Sequence, residues 1–266
     1  MIDPTAEIHP SAVVQEGATI GPGARIGPFC LVGPEAVIGA RTHLKSHVVV
    51  TGWTEIGEDC EIFPFASIGE VPQDKKFGGE RTRLIVGHRN RIREGVTMNT
   101  GTEGGGGITR VGDDGLFLTG SHVAHDAQIG NNVVLVNHAA IGGHCIIGDE
   151  VIVGGLSGIH QFVRIGRGAI IGAVTMVPHD VIPYGLVQGP RGGLDGLNLV
   201  GLKRKGVGRE DITALRAAFQ ALAQGDGAFQ DRARRLGDSD EGQSDYVQEV
   251  IAFVTAGSDR SFLTPG

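Results

Sequence analysis

Residues 123–147 read VAHDAQIGNNVVLVNHAAIGGHCII, with apolar residues six apart at Val123, Ile129, Leu135, Ile141 and Ile147. Six is neither the helical period nor that of an alternating strand, so a turn must reset the chain once in every hexad. The same beat reaches back through Phe117 to Val111 and forward through Val153, Ile159, Ile165 and Ile171 to Val177. Displaced by one residue, it also runs from Ile8 through Val14, Ile20 and onward to Ile68, returning at Val86, Ile92 and Met98. Four residues after a marker comes a small residue, as at Ala18, Ala24, Cys30, Thr42, Ala127, Ala139 and Ser157. One residue after it glycine is common, as at Gly21, Gly27, Gly33, Gly130, Gly142 and Gly172.

These rules predict a mainly β chain wound as a left-handed parallel β-helix of hexapeptide repeats. Each hexad supplies a short strand and a corner, three hexads close a triangular lap, and laps stack about 4.8 Å apart. The marker is expected to point into the prism. Glycine after it is expected to serve a corner of positive φ.

Composition fits a narrow prism, since aromatic residues make up 5% of the chain and Val and Ile fill a thin interior better than rings. No basic segment precedes an apolar run at the N-terminus, and no stretch approaches the roughly 20 apolar residues of a membrane span. A cytoplasmic protein without a transmembrane segment is the expectation. A net charge of −7 argues against bulk binding of nucleic acid. Cys30, Cys60 and Cys145 all occupy the small-residue slot, which predicts buried free thiols in a reducing compartment.

Two stretches break the beat, Asp74 to Ile85 and Gly104 to Arg110. A coil cannot lengthen without losing its stacking, so both are expected to leave as external loops, where function concentrates. The run Gly104-Gly105-Gly106-Gly107 reads as a flexible connector. Beyond Pro183 the period becomes helical, with Ile212, Leu215, Phe219 and Leu222 on one face. A second helix is expected over Phe229–Leu236 and a third from a Ser244 cap through Val247, Val250, Ile251 and Val254. The expected division is 1–189 for the β-helix and 190–266 for a small C-terminal α-helical domain that caps the prism's open edge.

An eighteen-residue lap places His125, Gly143, Gln161 and His179 in one column and Asp126, His144, Phe162 and Asp180 in the next, with His122 and His160 close by. Two chemistries fit the cluster. In one, His125 is a general base oriented by Asp126, and Gly143 leaves room for a substrate whose oxyanion its N–H stabilises. In the other, three imidazoles from neighbouring chains hold zinc, as in β-helical carbonic anhydrases.

The chain closely resembles the UDP-N-acetylglucosamine O-acyltransferases that open lipid A synthesis, within the hexapeptide acyltransferases. The strings carrying the resemblance are Ile26-Gly27-Pro28-Phe29-Cys30, Leu44-Lys45-Ser46-His47, Phe65-Ala66-Ser67-Ile68-Gly69-Glu70, Asn90-Arg91-Ile92-Arg93-Glu94, His122-Val123-Ala124-His125-Asp126, His160-Gln161-Phe162 and Gly201-Leu202-Lys203-Arg204. It implies transfer of an (R)-3-hydroxyacyl group from acyl carrier protein to the 3-hydroxyl of UDP-N-acetylglucosamine, with no cofactor and no metal. It also implies a homotrimer whose site lies between two prisms. His125 is then the base, Asp126 its partner, and Asp74, Lys76, His122, His144, His160, Gln161, Asn198 and Arg204 the contacts to sugar and nucleotide. Ala173 stands where a side chain limits the acyl channel, and its methyl is expected to shorten the preferred chain relative to glycine. The basic runs Arg81, Arg83, Arg89, Arg91, Arg93 and Lys203, Arg204, Lys205 are expected to meet the acidic carrier protein and the pyrophosphate. Asn99-Thr100 stands where His-Arg is common, Val200 where an acidic residue is frequent, and Lys205 where Arg is found. These departures leave a 3-amino sugar nucleotide as the variant acceptor to distinguish.

Overall fold

The computed structural model describes residues 1–224, 226–258 and 260–265. Its strands form three parallel sheets of 11, 9 and 8 strands, the faces of a triangular left-handed β-helix. Glu7–Ile8 begins the first face, Val13–Val14 the second and Thr19–Ile20 the third. Successive laps pair residues eighteen apart, as in Ile8 with Ile26, His122 with Ala140, and Ile129 with Ile147. Both slots named by the hexad rule lie inside: Ile62, Leu135 and Ile141 at the marker and Ala24, Ala139 and Cys145 four residues later are sealed from solvent.

The glycine after the marker has a different cause from the one expected. Positive φ falls two positions later, at Phe29, Arg41, His47, Asp126, His144 and Phe162 among others. The marker-following glycines instead sit where laps touch. A Cβ on Gly27 would lie 1.4 Å from the Lys45 carbonyl oxygen, and one on Gly142 would lie 2.7 Å from Gln161 N. Close backbone approach, rather than a left-handed corner, excludes a side chain at Gly27 and Gly142, while Gly69 does take positive φ.

The first break leaves the prism over residues 71–82, and Ile56 pairs with Val86 across it. The second is only partly a loop. Glu103–Gly105 forms a short 3-10 turn, and Ile108–Val111 is a strand paired with Arg83–Val86. Gly105 is no flexible connector either, because its Cα packs on Asp126 so closely that a Cβ would lie 2.1 Å from Asp126 Cγ.

At the top the lap shortens. Ile159 still pairs with Val177, but Ile165 pairs with Val181 and Ile170 with Leu186, two residues short of a full turn. Gly185–Gln188 then pairs antiparallel with Gly193–Leu197, so residues 189–192 link two strands of one hairpin.

Among the described residues four helices follow: α1 Leu199–Arg204, α2 Arg209–Gln224, α3 Phe229–Leu236 and α4 Asp245–Thr255. The last three bury the apolar faces expected of them, Ile212, Leu215 and Leu222 against Phe229, Ala233, Leu236, Val247, Val250 and Val254. Ser244 stands at the N-cap of α4, yet its hydroxyl donates to Asp211 Oδ1 (2.9 Å) and so ties α4 to α2. The chain then returns to the prism, where Leu263 N donates to the Asp180 carbonyl and Asp180 N to the Ser261 carbonyl. No helix among the described residues is long and apolar enough to cross a membrane.

Candidate active site

The corner between the second and third faces carries the histidine cluster. His125 follows the second-face strand His122–Val123, and Gly143 follows Ala140–Ile141 one lap above. A Cβ built on Gly143 would lie 2.6 Å from His125 Cε1 and 2.7 Å from Nε2, so the imidazole lies directly against the glycine. His144 N donates to the His125 carbonyl and Phe162 N to the Gly143 carbonyl, which locks the three laps in register. The lap rule therefore places 125, 143 and 161 together.

It fails one lap higher. Asp180 N donates to Ser261 rather than to the lap below, and the His179 ring is hydrogen-bonded to the Ser261 hydroxyl (2.9 Å). The Asp180 carboxylate accepts from Arg164 N (2.8 Å), Arg164 Nε (2.7 Å) and Ser258 Oγ (2.6 Å). The shortened lap and the returning C-terminal segment break the column, so His179 and Asp180 serve the closure of the prism.

Asp126 is the best-fixed polar group of the site, with a side chain 1% exposed. Its Oδ1 accepts from Thr102 N (2.8 Å), and its Oδ2 accepts from Thr102 Oγ1 (2.6 Å) and pairs with His125 Nδ1 (2.8 Å). Its own N–H donates to Thr109 Oγ1 (2.7 Å). A buried carboxylate with this many donors is well satisfied and makes charge-assisted bonds to them. It consequently takes a proton-bearing Nδ1 from His125 and leaves Nε2 as the basic nitrogen. Among the described residues the Gly143 N–H meets no acceptor, so a donor stands free beside that imidazole.

His144 meets the His125 ring edge-on at 5.0 Å and stacks on Phe162 at 4.4 Å and 2°. Burial holds its pKa below the ordinary imidazole value. The excursion from the first break covers this pair, and Asp74, Lys76, Phe77, Glu80, Thr102, Glu103, His144 and Phe162 line a cleft of about 280 Å³. His122 lies on the strand before the corner, its Nδ1 2.7 Å from Thr97 Oγ1, with its pKa lowered by burial and by His125. His160 is exposed one lap above Gly142, and Arg260 donates to its Nδ1 (2.9 Å). Gln161 is exposed beside it.

The remaining expected residues stand elsewhere on the chain. Ala173 follows the first-face strand Ile170–Ile171 and lies exposed at the corner between first and second faces. Asn198 is at the third corner, where Nδ2 donates to Gly168 O (2.9 Å) and Oδ1 caps α1 by accepting from Gly201 N (3.0 Å). Arg204 ends α1 and is exposed. The three corners of one prism thus each carry part of the expected site.

The basic run at residues 81–93 does not form one patch. Arg81 lies over the Trp53 ring, Arg83 pairs with Glu55 on the third face, Arg89 with Asp113 and Asp114, and Arg93 with Glu94, while Arg91 is exposed on the first face. Lys205 pairs with Glu150. In-chain carboxylates thus pair with Arg83, Arg89, Arg93 and Lys205.

Sequence reasoning gave no role to Thr102, Thr109 or Gly105. The signal was present in the second insertion: Met98 pairs with Val123 in the next strands, and extending that register puts residues 101 and 102 beneath 126. His125, Asp126 and His144 also offer three ligand atoms within 4.8 Å of one another, two imidazoles and a carboxylate of one chain rather than the three imidazoles of the zinc reading.

Two family models match the chain, "Udp N-acetylglucosamine O-acyltransferase; Domain 2" over residues 180–263 and "Bacterial transferase hexapeptide (six repeats)" over residues 17–52. A relative from Paracoccus denitrificans, named acyl-(acyl-carrier-protein)-UDP-N-acetylglucosamine O-acyltransferase, is 66% identical over 204 residues, 77% of each chain. The solved UDP-N-acetylglucosamine O-acyltransferase of Moraxella catarrhalis superposes with a TM-score of 0.89 at 39% identity, covering 96% of this chain and 99% of that one. The corresponding structure from Campylobacter jejuni gives 0.91 at 33% identity over 98% and 100%. All three are acyltransferases, and the zinc reading gains nothing from them.

Proposed function

This chain belongs to the acyl-carrier-protein-dependent UDP-N-acetylglucosamine O-acyltransferases, which take the first step of lipid A biosynthesis, and we propose that His125, Asp126 and Gly143 carry its reaction. The donor is an (R)-3-hydroxyacyl thioester on acyl carrier protein, and the acceptor is the 3-hydroxyl of UDP-N-acetylglucosamine. His125 Nε2 takes the hydroxyl proton as that oxygen attacks the thioester carbonyl. Asp126 stabilises the imidazolium that forms and holds the ring in place. The free Gly143 N–H faces the developing oxyanion, and collapse expels the carrier thiol, which receives the proton from His125.

The observation that carries this reading is the packing of His125 Nε2 against Gly143, with Nδ1 bonded to a buried, fully satisfied Asp126. Asp74, Lys76, His144 and Phe162 form the acceptor cleft, and His122, His160 and Gln161 are assigned to the same substrate on the neighbouring laps. Ala173, Asn198 and Arg204 lie at other corners, so a site using all of them needs a second copy of the chain. A homotrimer, each prism facing its neighbour, provides this. The prism (1–189) then supplies the catalytic corner and the helical unit (190–266) supplies Asn198 and Arg204. Three buried free cysteines fit a cytoplasmic location.

His125→Ala is expected to lower turnover by about 10²–10⁴-fold while the oligomer and its melting point stay unchanged. Turnover close to wild type in a correctly assembled variant removes His125 as the base. Mass spectrometry of products formed from 3-hydroxy and 3-amino acceptors in competition fixes the position acylated.

A further inference from the structure

Asn99 and the two residues after it hold both ends of the excursion over residues 71–82. Asn99 Nδ2 donates to Glu70 O (3.3 Å) and Val71 O (3.0 Å), and Thr100 N donates to Glu70 O (3.0 Å). At the returning end Thr82 Oγ1 donates to Thr100 Oγ1 (3.1 Å) and Gly101 N to Arg83 O (3.2 Å). The Arg81 guanidinium adds a third tie, 3.2 Å from the centroid of the Trp53 ring. Asn99 is only 3% exposed, and among the described residues its Oδ1 is buried without a partner. A position kept for packing alone takes an apolar side chain, because an unpaired buried carbonyl is costly. Here the carboxamide stands, and its nitrogen donates to the last residue of the strand and the first of the excursion.

We propose that Asn99 is a positioning residue: its carboxamide fixes where the chain leaves the prism at Glu70–Val71, and so where Asp74 and Lys76 stand in the cleft beside His144 and Phe162. Val71 is only three residues before Asp74, so little chain lies between them to take up a shift of the exit point. The proposal rests on the reading above that this cleft receives the sugar nucleotide.

The test compares Asn99→Leu, Lys76→Ala and the double variant as intact enzymes. Asn99→Leu is expected to raise KM for UDP-N-acetylglucosamine roughly 10-fold, with KM for the acyl carrier protein donor and the pH-rate profile unmoved. If Asn99 acts through the loop, the double variant is little worse than Lys76→Ala alone. Trp53 is the only tryptophan, so acrylamide quenching of its fluorescence reads the Arg81 tie directly and should increase in Asn99→Leu. An unchanged nucleotide KM, or effects that multiply in the double variant, overturns the proposal. A silent Lys76→Ala sinks the cleft assignment instead, and the anchoring is then decided by whether quenching rises. Asn99→Asp, which keeps the shape and removes the N–H donors, replaces the leucine variant if that one does not fold.

Discussion

At the scale of single residues, the site works by exclusion as much as by placement. Gly143 has no side chain because His125 fills the space, and Gly105 has none because Asp126 does. Ala173 is exposed at a corner where the neighbouring Val174 and Leu156 are also exposed and apolar. Ala173→Gly is expected to lengthen the preferred acyl chain and Ala173→Met to shorten it, read from products of a mixed pool of acyl donors. An unchanged chain profile removes the assignment. His122 and His144 give the molecule a pH dependence. Burial lowers both folded-state values, so on acidification the unfolded chain takes up these protons first. Stability present above the unfolded value of about 6.5 is therefore lost as pH falls below it. The melting temperature should drop between about pH 7.5 and 5.5, and His144→Gln should flatten that slope. Cys145 stays inert in the same range, since burial pushes its thiol up to about 12.

At the scale of elements, each two-residue strand is too short to stand alone and depends on the laps above and below. Ile141 is sealed from solvent between Val123 and Ile159. Ile141→Ala is expected to cost about 2–5 kcal/mol in unfolding free energy, measured by denaturant titration. The prism and its catalytic column were legible in sequence because stacking is local and repeats: knowing the period places 125 under 143. Less could be read where the cause is distant. The six residues of α1, with Gly201 inside, have little helical propensity of their own, and the helix exists through the Asn198 cap. Nothing near His179 announces that Ser258, Ser261 and Leu263 will displace the lap below. The tetraglycine run looked loose because glycine does not reveal whether it serves freedom or contact.

At the scale of the whole molecule, a buried ion pair at the top of the prism, Arg164 with Asp180, is one place where the C-terminal region docks. Asp180 is fully buried, Arg164 packs on Phe253 of α4, and the Ser258 hydroxyl completes the carboxylate's donors. Asp180→Asn should destabilise the protein by about 3 kcal/mol, because it leaves the Arg164 charge without its counter-ion. Circular dichroism melts check this, and a change below about 1 kcal/mol would mean solvent replaces the partner. That junction also sets a timetable for synthesis. Ser258 is translated 78 residues after Asp180, several seconds at roughly 5–20 residues per second. Throughout that interval the nascent coil, wound from its first turn, displays a bare upper rim to other chains on the same message. Crowded polysomes are therefore where this enzyme is most exposed to joining the wrong neighbour.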